Sequence, residues 1–166
     1  MNGSLIAAVT VDQFVARPPA TVWRALTEPG LLARWWAPGD VAAEVGHRFT
    51  LAMPGWGDVA CEVLEVREPE RFVYTFNGTW TLTWTLVPEG RGTRLVLEHS
   101  GFDLDDRQGR FAFDRMGPGW RDHVLPRLAA VVEEELAGVV GEGVVGEGTE
   151  RGTEQRTVQG TGDAAS

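Results

Sequence analysis

Residues Thr79-Trp80-Thr81-Leu82-Thr83-Trp84-Thr85-Leu86 alternate without interruption, with threonine at each odd position and a large apolar residue at each even one. Side chains on a strand point to opposite faces in turn, so the run predicts a strand with one hydroxyl face and one aromatic-aliphatic face. No helix could place Trp80, Leu82, Trp84 and Leu86 on one side, and threonine and tryptophan both favour strands. A sheet with two tryptophans on one face must cover that face. Two sources of cover are expected: a long C-terminal helix, and a pocket for a small apolar molecule.

The neighbouring segments extend the sheet. Phe72, Tyr74 and Phe76 alternate just upstream, and Asn77-Gly78 is a strong turn into the tryptophan strand. Downstream, Pro88 to Gly92 turns the chain again, after which Leu95, Leu97 and His99 share one face and Arg94, Val96 and Glu98 the other. Such short turns require antiparallel neighbours. Phe49, Leu51 and Met53 alternate on an earlier strand, Val41 to Val45 suggests a short one, and Pro54-Gly55-Trp56-Gly57 is a turn. Val59 to Val66 is a strand of ambiguous face, because Val59/Cys61/Val63 and Leu64/Val66 are both apolar; a bulge would reconcile them.

At the start, Leu5 to Val15 predicts a first strand that Arg17-Pro18-Pro19 ends. Val22, Trp23 and Leu26 recur at helical spacing, and Glu28-Pro29 restarts the chain into a second short helix with Leu31, Leu32, Trp35 and Trp36. Two short helices before a second strand indicate an α+β fold. After Gly101-Phe102 the pattern turns helical: Trp120, Val124, Leu128, Val131 or Val132, and Leu136 keep the 3.6-residue period of a covering helix. Pro126 frees the carbonyl of Asp122, so a bend is expected there. Glu133-Glu134-Glu135 crowds negative charge at the helix end that disfavours it, and fraying near Ala137 is expected. Residues 138–166 hold no aromatic residue and repeat Val-Val-Gly-Glu-Gly twice in tandem. The expectation is a single domain at residues 1–137 and a disordered Gly/Glu-rich acidic tail at 138–166.

Composition excludes several function classes. The chain has 24 Asp+Glu against 15 Lys+Arg, all of the latter arginine, for a net charge of −9. Without a basic cluster, nucleic acid and anionic membrane surfaces are poor partners. No apolar run approaches the roughly 18 residues that span a bilayer. The first residues have no charged leader pattern, and the single cysteine, Cys61, is expected to be a small structural residue; both fit a cytoplasmic protein. Seven tryptophans beside one tyrosine raise the expectation of an aromatic-lined core or cavity.

The segments RPPATVWRALTEPGLLARWWAP, EPERFVYTF, GRGTRLVLEHSGF, and GW followed by LPRLAAVVEEE occur in that order. They resemble the activator-of-heat-shock-protein-90-ATPase-like branch of the START/birch-pollen-allergen superfamily over Phe14 to Leu136. The resemblance implies a helix-grip fold: a curved antiparallel sheet of about seven strands wrapped around a long C-terminal helix, two short helices at one end, and a cavity between sheet and helix. Lipid carriers, polyketide cyclases, co-chaperone domains and antibiotic self-resistance proteins all share that superfamily, so fold alone does not settle activity. Compared with the family pattern, the segment between Gly101-Phe102 and Gly119-Trp120 is long. It holds Phe111, Phe113 and Met116, and if helical it would align Phe113, Met116 and Trp120, interrupted by Gly117-Pro118-Gly119. A hinged flap over the pocket mouth and an ordinary loop with tucked aromatics are both open readings.

A small hydrophobic or aromatic molecule, of the polyketide-like natural-product kind, is the expected partner, bound without a cofactor by a monomer or homodimer. The residues expected to contact it are Trp35, Met53, Tyr74, Phe76, Trp80, Leu82, Trp84, Leu97, His99, Phe113, Met116 and Trp120, with Trp23 and Trp36 assigned to core packing. Binding is preferred over catalysis. In a cyclase, His99 and Tyr74 would be the acid-base groups, with Arg115 or Asp114 from the helix side; a self-resistance protein that captures a reactive antibiotic is a further alternative, and a co-chaperone is disfavoured. His47, His99 and His123 lack ligand spacing for a metal. Ser100 follows His99 directly, so a strand would turn the two apart, against any Ser-His nucleophile.

Overall fold

A computed structural model of the chain describes residues 5–135. β1 (Ile6–Val15) leads into α1 (Pro19–Thr27) and α2 (Pro29–Trp35), followed by β2 (Arg48–Met53), β3 (Gly57–Arg67), β4 (Arg71–Phe76), β5 (Trp80–Glu89) and β6 (Gly92–Asp103). The last strand returns beside the first, giving one antiparallel sheet in the order β1-β6-β5-β4-β3-β2. Each even residue of the tryptophan strand faces the core: Leu82, Trp84 and Leu86 are buried and Trp80 half-buried, while Thr81, Thr83 and Thr85 remain partly accessible on the other face. The sheet curves around the helices that follow it.

Six strands form among the described residues, one fewer than the sequence suggests, because Val41–Val45 is a loop. Its backbone bonds are local turns, Glu44 N–H to Ala42 and His47 N–H to Glu44, and it closes at Gly46 with φ +89°. Val41 is buried as an anchor and Val45 is exposed, so apolar content there marks a plug rather than a strand. The ambiguity in β3 resolves as a bulge: the register with β4 shifts between Val63 and Glu65. Val59, Cys61 and Val63 therefore stay inside while Leu64 turns out. Cys61 is buried, and desolvation pushes its thiol pKa up to about 12, which leaves it an unreactive packing group.

The largest departure from sequence lies in the C-terminal third. The pattern does turn helical soon after Phe102, but the covering helix is continuous from there rather than starting near Trp120: α3 (Arg107–Gly119) runs through a π turn (Trp120–Val124) into α4 (Leu125–Glu135). Asp106 caps its start by accepting from the Gly109 N–H at 2.9 Å. Gly117-Pro118-Gly119 does not interrupt it. Gly119 keeps helical angles (φ −61°, ψ −47°), and the missing Cβ of Gly117 allows close approach to Val9 on β1, where a Cβ would sit 3.2 Å from Val9 Cγ1. The segment is thus neither loop nor separate flap.

The irregularity expected at Pro126 takes the form of that π turn, with the Leu125 N–H bonded to the Trp120 carbonyl. One extra residue in the turn shifts the apolar stripe. Leu125, fully buried, takes the place periodicity assigns to Val124, and Val124 is only half-buried. At the far end Glu133 accepts from the Ala16 N–H at 2.8 Å, and its carbonyl accepts from the Arg17 guanidinium, tying α4 to the β1–α1 link. Leu136, Ala137 and the segment 138–166 lie outside the described residues, as does the expected fraying there.

Two helical glycines give a contrast that tests this packing. Replacing a helical glycine by alanine ordinarily stabilises by about 1 kcal/mol. At Gly109 the new Cβ would stand 2.2 Å from the Asp103 carbonyl oxygen, whereas at Gly119 it meets nothing within 4 Å. Urea unfolding is expected to show Gly109→Ala destabilised by about 1–3 kcal/mol and Gly119→Ala unchanged or more stable; equal effects would contradict this placement of α3.

Candidate functional site: an aromatic cavity between sheet and helix

Where the sheet curves away from α3, a cavity of about 360 Å³ remains. Trp36, from the end of α2, is its central wall. Its backbone (φ −135°, ψ −82°) has already left the helix, and its ring lies stacked between that of Trp35 at 5.6 Å and 18° and that of Phe76 on β4 at 5.7 Å and 21°. Trp120 closes the inner end, 5.1 Å from Trp36. Met53 from β2 and Met116 from α3 also line it, with Ala112, Gly119 and Val124 completing the helical side. Trp56, from the β2–β3 turn, and Phe111 are the large apolar lining residues exposed to solvent, at 57% and 58% exposure, and so mark the mouth. Arg115 is the one charged residue of the lining, with its guanidinium 4.4 Å from the centre of the Phe111 ring. A second hollow of about 490 Å³ over β2 and β3 is walled by Arg48, Thr50, Glu62 and Thr75. Its Arg48–Glu62 pair at 3.6 Å already satisfies charge, and it lacks the apolar walls of a small-molecule site.

Behind the inner wall lies His99. It is fully buried on β6, and its Nδ1 accepts from the Trp120 indole N–H at 3.0 Å. That bond puts the ring proton on Nε2, which has no hydrogen-bond partner among the described residues. The rings of Phe76, Trp80, Phe102 and Trp120 surround it. Desolvation in that setting pulls its pKa down to about 3, so the imidazole is neutral at ordinary pH.

The cavity gathers only some of the residues expected from sequence. Met53, Phe76, Met116 and Trp120 line it. Trp84 does not: fully buried, it packs edge-on against Trp35 and Trp120 and donates its indole N–H to the Tyr74 hydroxyl at 3.1 Å. Trp35 donates to the Ala25 carbonyl at 2.8 Å and is core as well, as are Leu82 and Leu97. Trp80 and Phe113 pack on Phe102 rather than on the cavity. Tyr74 and His99 fall in one cross-strand row with Leu82 between them. Two inter-strand spacings, about 10 Å, separate their backbones, and neither side chain lines the cavity. Burial also pushes the Tyr74 hydroxyl pKa upward, away from proton exchange. Conversely, Trp36, Trp56, Phe111, Ala112, Arg115, Gly119 and Val124 line the cavity without having been expected to; of these, only Arg115 was singled out for chemistry. Among the described residues, no group of three His, Cys, Asp or Glu is placed to hold a metal ion, and no helix is long and apolar enough to cross a membrane.

A curved antiparallel sheet gripping a long helix, with an apolar cavity left between them, defines the helix-grip class. The chain belongs to the Activator of Hsp90 ATPase homolog 1-like protein family, whose model matches residues 16–133. Among solved structures it is similar to protein MLL2253 from Mesorhizobium loti (32% identity, TM-score 0.66, covering 80% of this chain and 98% of that one). It is also similar to protein BH1534 from Bacillus halodurans (29% identity, TM-score 0.71, covering 80% and 100%). DynU16, a protein of the dynemicin biosynthetic locus, shares the fold at 24% identity and TM-score 0.65; the match covers 77% of this chain and 48% of DynU16. No curated protein matches the chain.

The buried histidine gives a pH dependence with a definite sign. Unfolded, His99 titrates near 6.5; folded, it resists protonation down to about 3. As pH falls below about 6.5 the unfolded chain takes up a proton that the folded one refuses, so stability falls with pH. Between pH ~6.5 and ~5 most carboxylates stay ionised, and a His99→Gln variant is expected to lose less stability than the parent over that interval. Parallel pH profiles would contradict the burial of a neutral imidazole.

Proposed function

We propose that the protein binds a small hydrophobic or aromatic molecule, of the polyketide-like natural-product kind, in the cavity between sheet and C-terminal helix. The observation that carries this reading is the wall itself: stacked Trp36 and Phe76, Trp120, and two methionines enclose about 360 Å³. Volumes of roughly 300–1,000 Å³ with apolar walls and few polar groups are typical of small-molecule sites. Methionine thioethers adapt their shape and contact aromatic rings favourably, which suits a flat ligand between β2 and α3. DynU16, which shares the fold, comes from a biosynthetic locus, and that supports a natural product as the ligand class.

Binding fits better than acid-base turnover. The two titratable groups proposed for a cyclase are set back from the cavity, and burial moves both pKa values away from neutrality. General acid-base catalysis needs a group within reach of the reacting atom and a pKa near the working pH. For a ligand of ~20 non-hydrogen atoms, a drug-like ~0.3 kcal/mol per atom gives ~6 kcal/mol, a Kd on the order of tens of micromolar.

Gly119 provides a direct test. It lines the cavity with helical angles and open space beyond its α-carbon, so a larger side chain there fills the cavity without straining the fold. Titration with flat aromatic compounds is expected to quench tryptophan emission saturably in the parent chain. Gly119→Leu should weaken that binding about tenfold or more while thermal stability holds or rises. A leucine variant that binds as the parent does would move the site elsewhere.

A further inference from the structure

We infer that the cavity selects an apolar acid: a ligand whose hydrophobic body fills the aromatic walls and whose single oxyanion, a carboxylate or sulfonate, sits at the mouth on Arg115. This rests on the binding reading above and adds the ligand's charge and orientation. Three observations lead to it.

The first is the charge of the lining, where Arg115 is the lone ionised side chain. A cationic ligand would meet like charge at the entrance, and a neutral one would leave the guanidinium unused. The second is that Arg115 has no carboxylate within ion-pair distance among the described residues. Arg24, Arg48, Arg67, Arg71, Arg94 and Arg121 each have one, and the other described arginines without one, Arg17, Arg91, Arg107, Arg110 and Arg127, lie outside the lining. Asp114, its chain neighbour, does not pair with it, unlike Asp122, which holds the adjacent Arg121 at 2.9 Å.

The third is the guanidinium's position. Phe111 and Arg115 are one helical turn apart on α3, and the guanidinium carbon lies 4.4 Å from the centre of the Phe111 ring. The contact restricts where the charge can go, and among the described residues no hydrogen bond or ion pair engages the guanidinium. The N–H groups along its edge stay available, and that edge is the fork that recognises an oxyanion through two parallel hydrogen bonds. The net charge of −9 does not cancel this attraction. At physiological salt, charges more than about 8 Å away are largely screened, so the nearest guanidinium dominates for a group already at the mouth.

The test uses two fluorescent probes that share an aromatic body and differ in charge: anilinonaphthalene sulfonate, which is anionic, and the neutral N-phenyl-naphthylamine. Each is titrated into the full chain, into Arg115→Gln, and into Arg121→Gln as a control, since Arg121 lies outside the lining and pairs with Asp122. Arg115→Gln is expected to weaken the anionic probe about five- to tenfold and to leave the neutral probe unchanged, with Arg121→Gln affecting neither. High salt should weaken only the anionic probe, and only when Arg115 is present. An Arg115→Gln variant that binds the anion as well as the parent does, or that loses both probes equally, overturns the inference while leaving the cavity as a binding site. Failure of both probes to bind the parent overturns the binding reading itself.

Discussion

The hydrogen bond from the Trp120 indole to His99 Nδ1 joins the long helix to the sheet at the point where the cavity begins. Both groups are buried, so the bond contributes more through what its loss would cost than through its net strength. A typical hydrogen bond adds about 0.5–1.5 kcal/mol, whereas an orphaned buried acceptor costs about 1–3 kcal/mol. Trp120 also packs against Trp84 on the core side and Trp36 on the cavity side. One residue therefore fixes the depth of the helix, fills the core over β5, and forms the inner wall of the site.

The π turn explains how the helix can do all of this. A regular helix would bring Val124 under Trp120 and continue the stripe to Leu128. The Leu125 N–H to Trp120 carbonyl bond adds a residue to that turn, so Leu125 enters the core and Val124 turns toward the cavity. Pro126, which cannot donate to Asp122, makes this stretch the easiest place for the hydrogen-bond ladder to change register. The same local departure from helical periodicity covers the sheet and leaves part of it uncovered.

Much of the architecture was legible in the sequence, because strand alternation depends on local stereochemistry. The Thr/Trp-Leu run placed β5 and its inward face correctly, and parity correctly put Tyr74 and His99 on the same concave side. The cavity was legible only in part. Parity says which face a residue is on, not whether a helix side chain lies over it; Trp84, Leu82 and Leu97 share the face but are covered. Trp35 and Trp36 illustrate the same limit. They are adjacent and alike in sequence, but the helix ends between them, so one ring enters the core and the other the cavity. The helical reach of α3 through Gly117-Pro118-Gly119 was hidden for a related reason: two glycines and a proline argue locally for a break, and tertiary packing against β1 overrides them.

Met53 and Met116 approach the cavity from opposite sides, one on the sheet and one on the helix, and the chain's third methionine is Met1. Methyl-labelled methionine resonances therefore report on the site from both of its walls. On titration with a flat apolar ligand, the Met53 and Met116 methyl signals should shift together and saturate at one equivalent. Shifts absent from both, or confined to one of the two, would contradict a ligand site between the sheet and its helix.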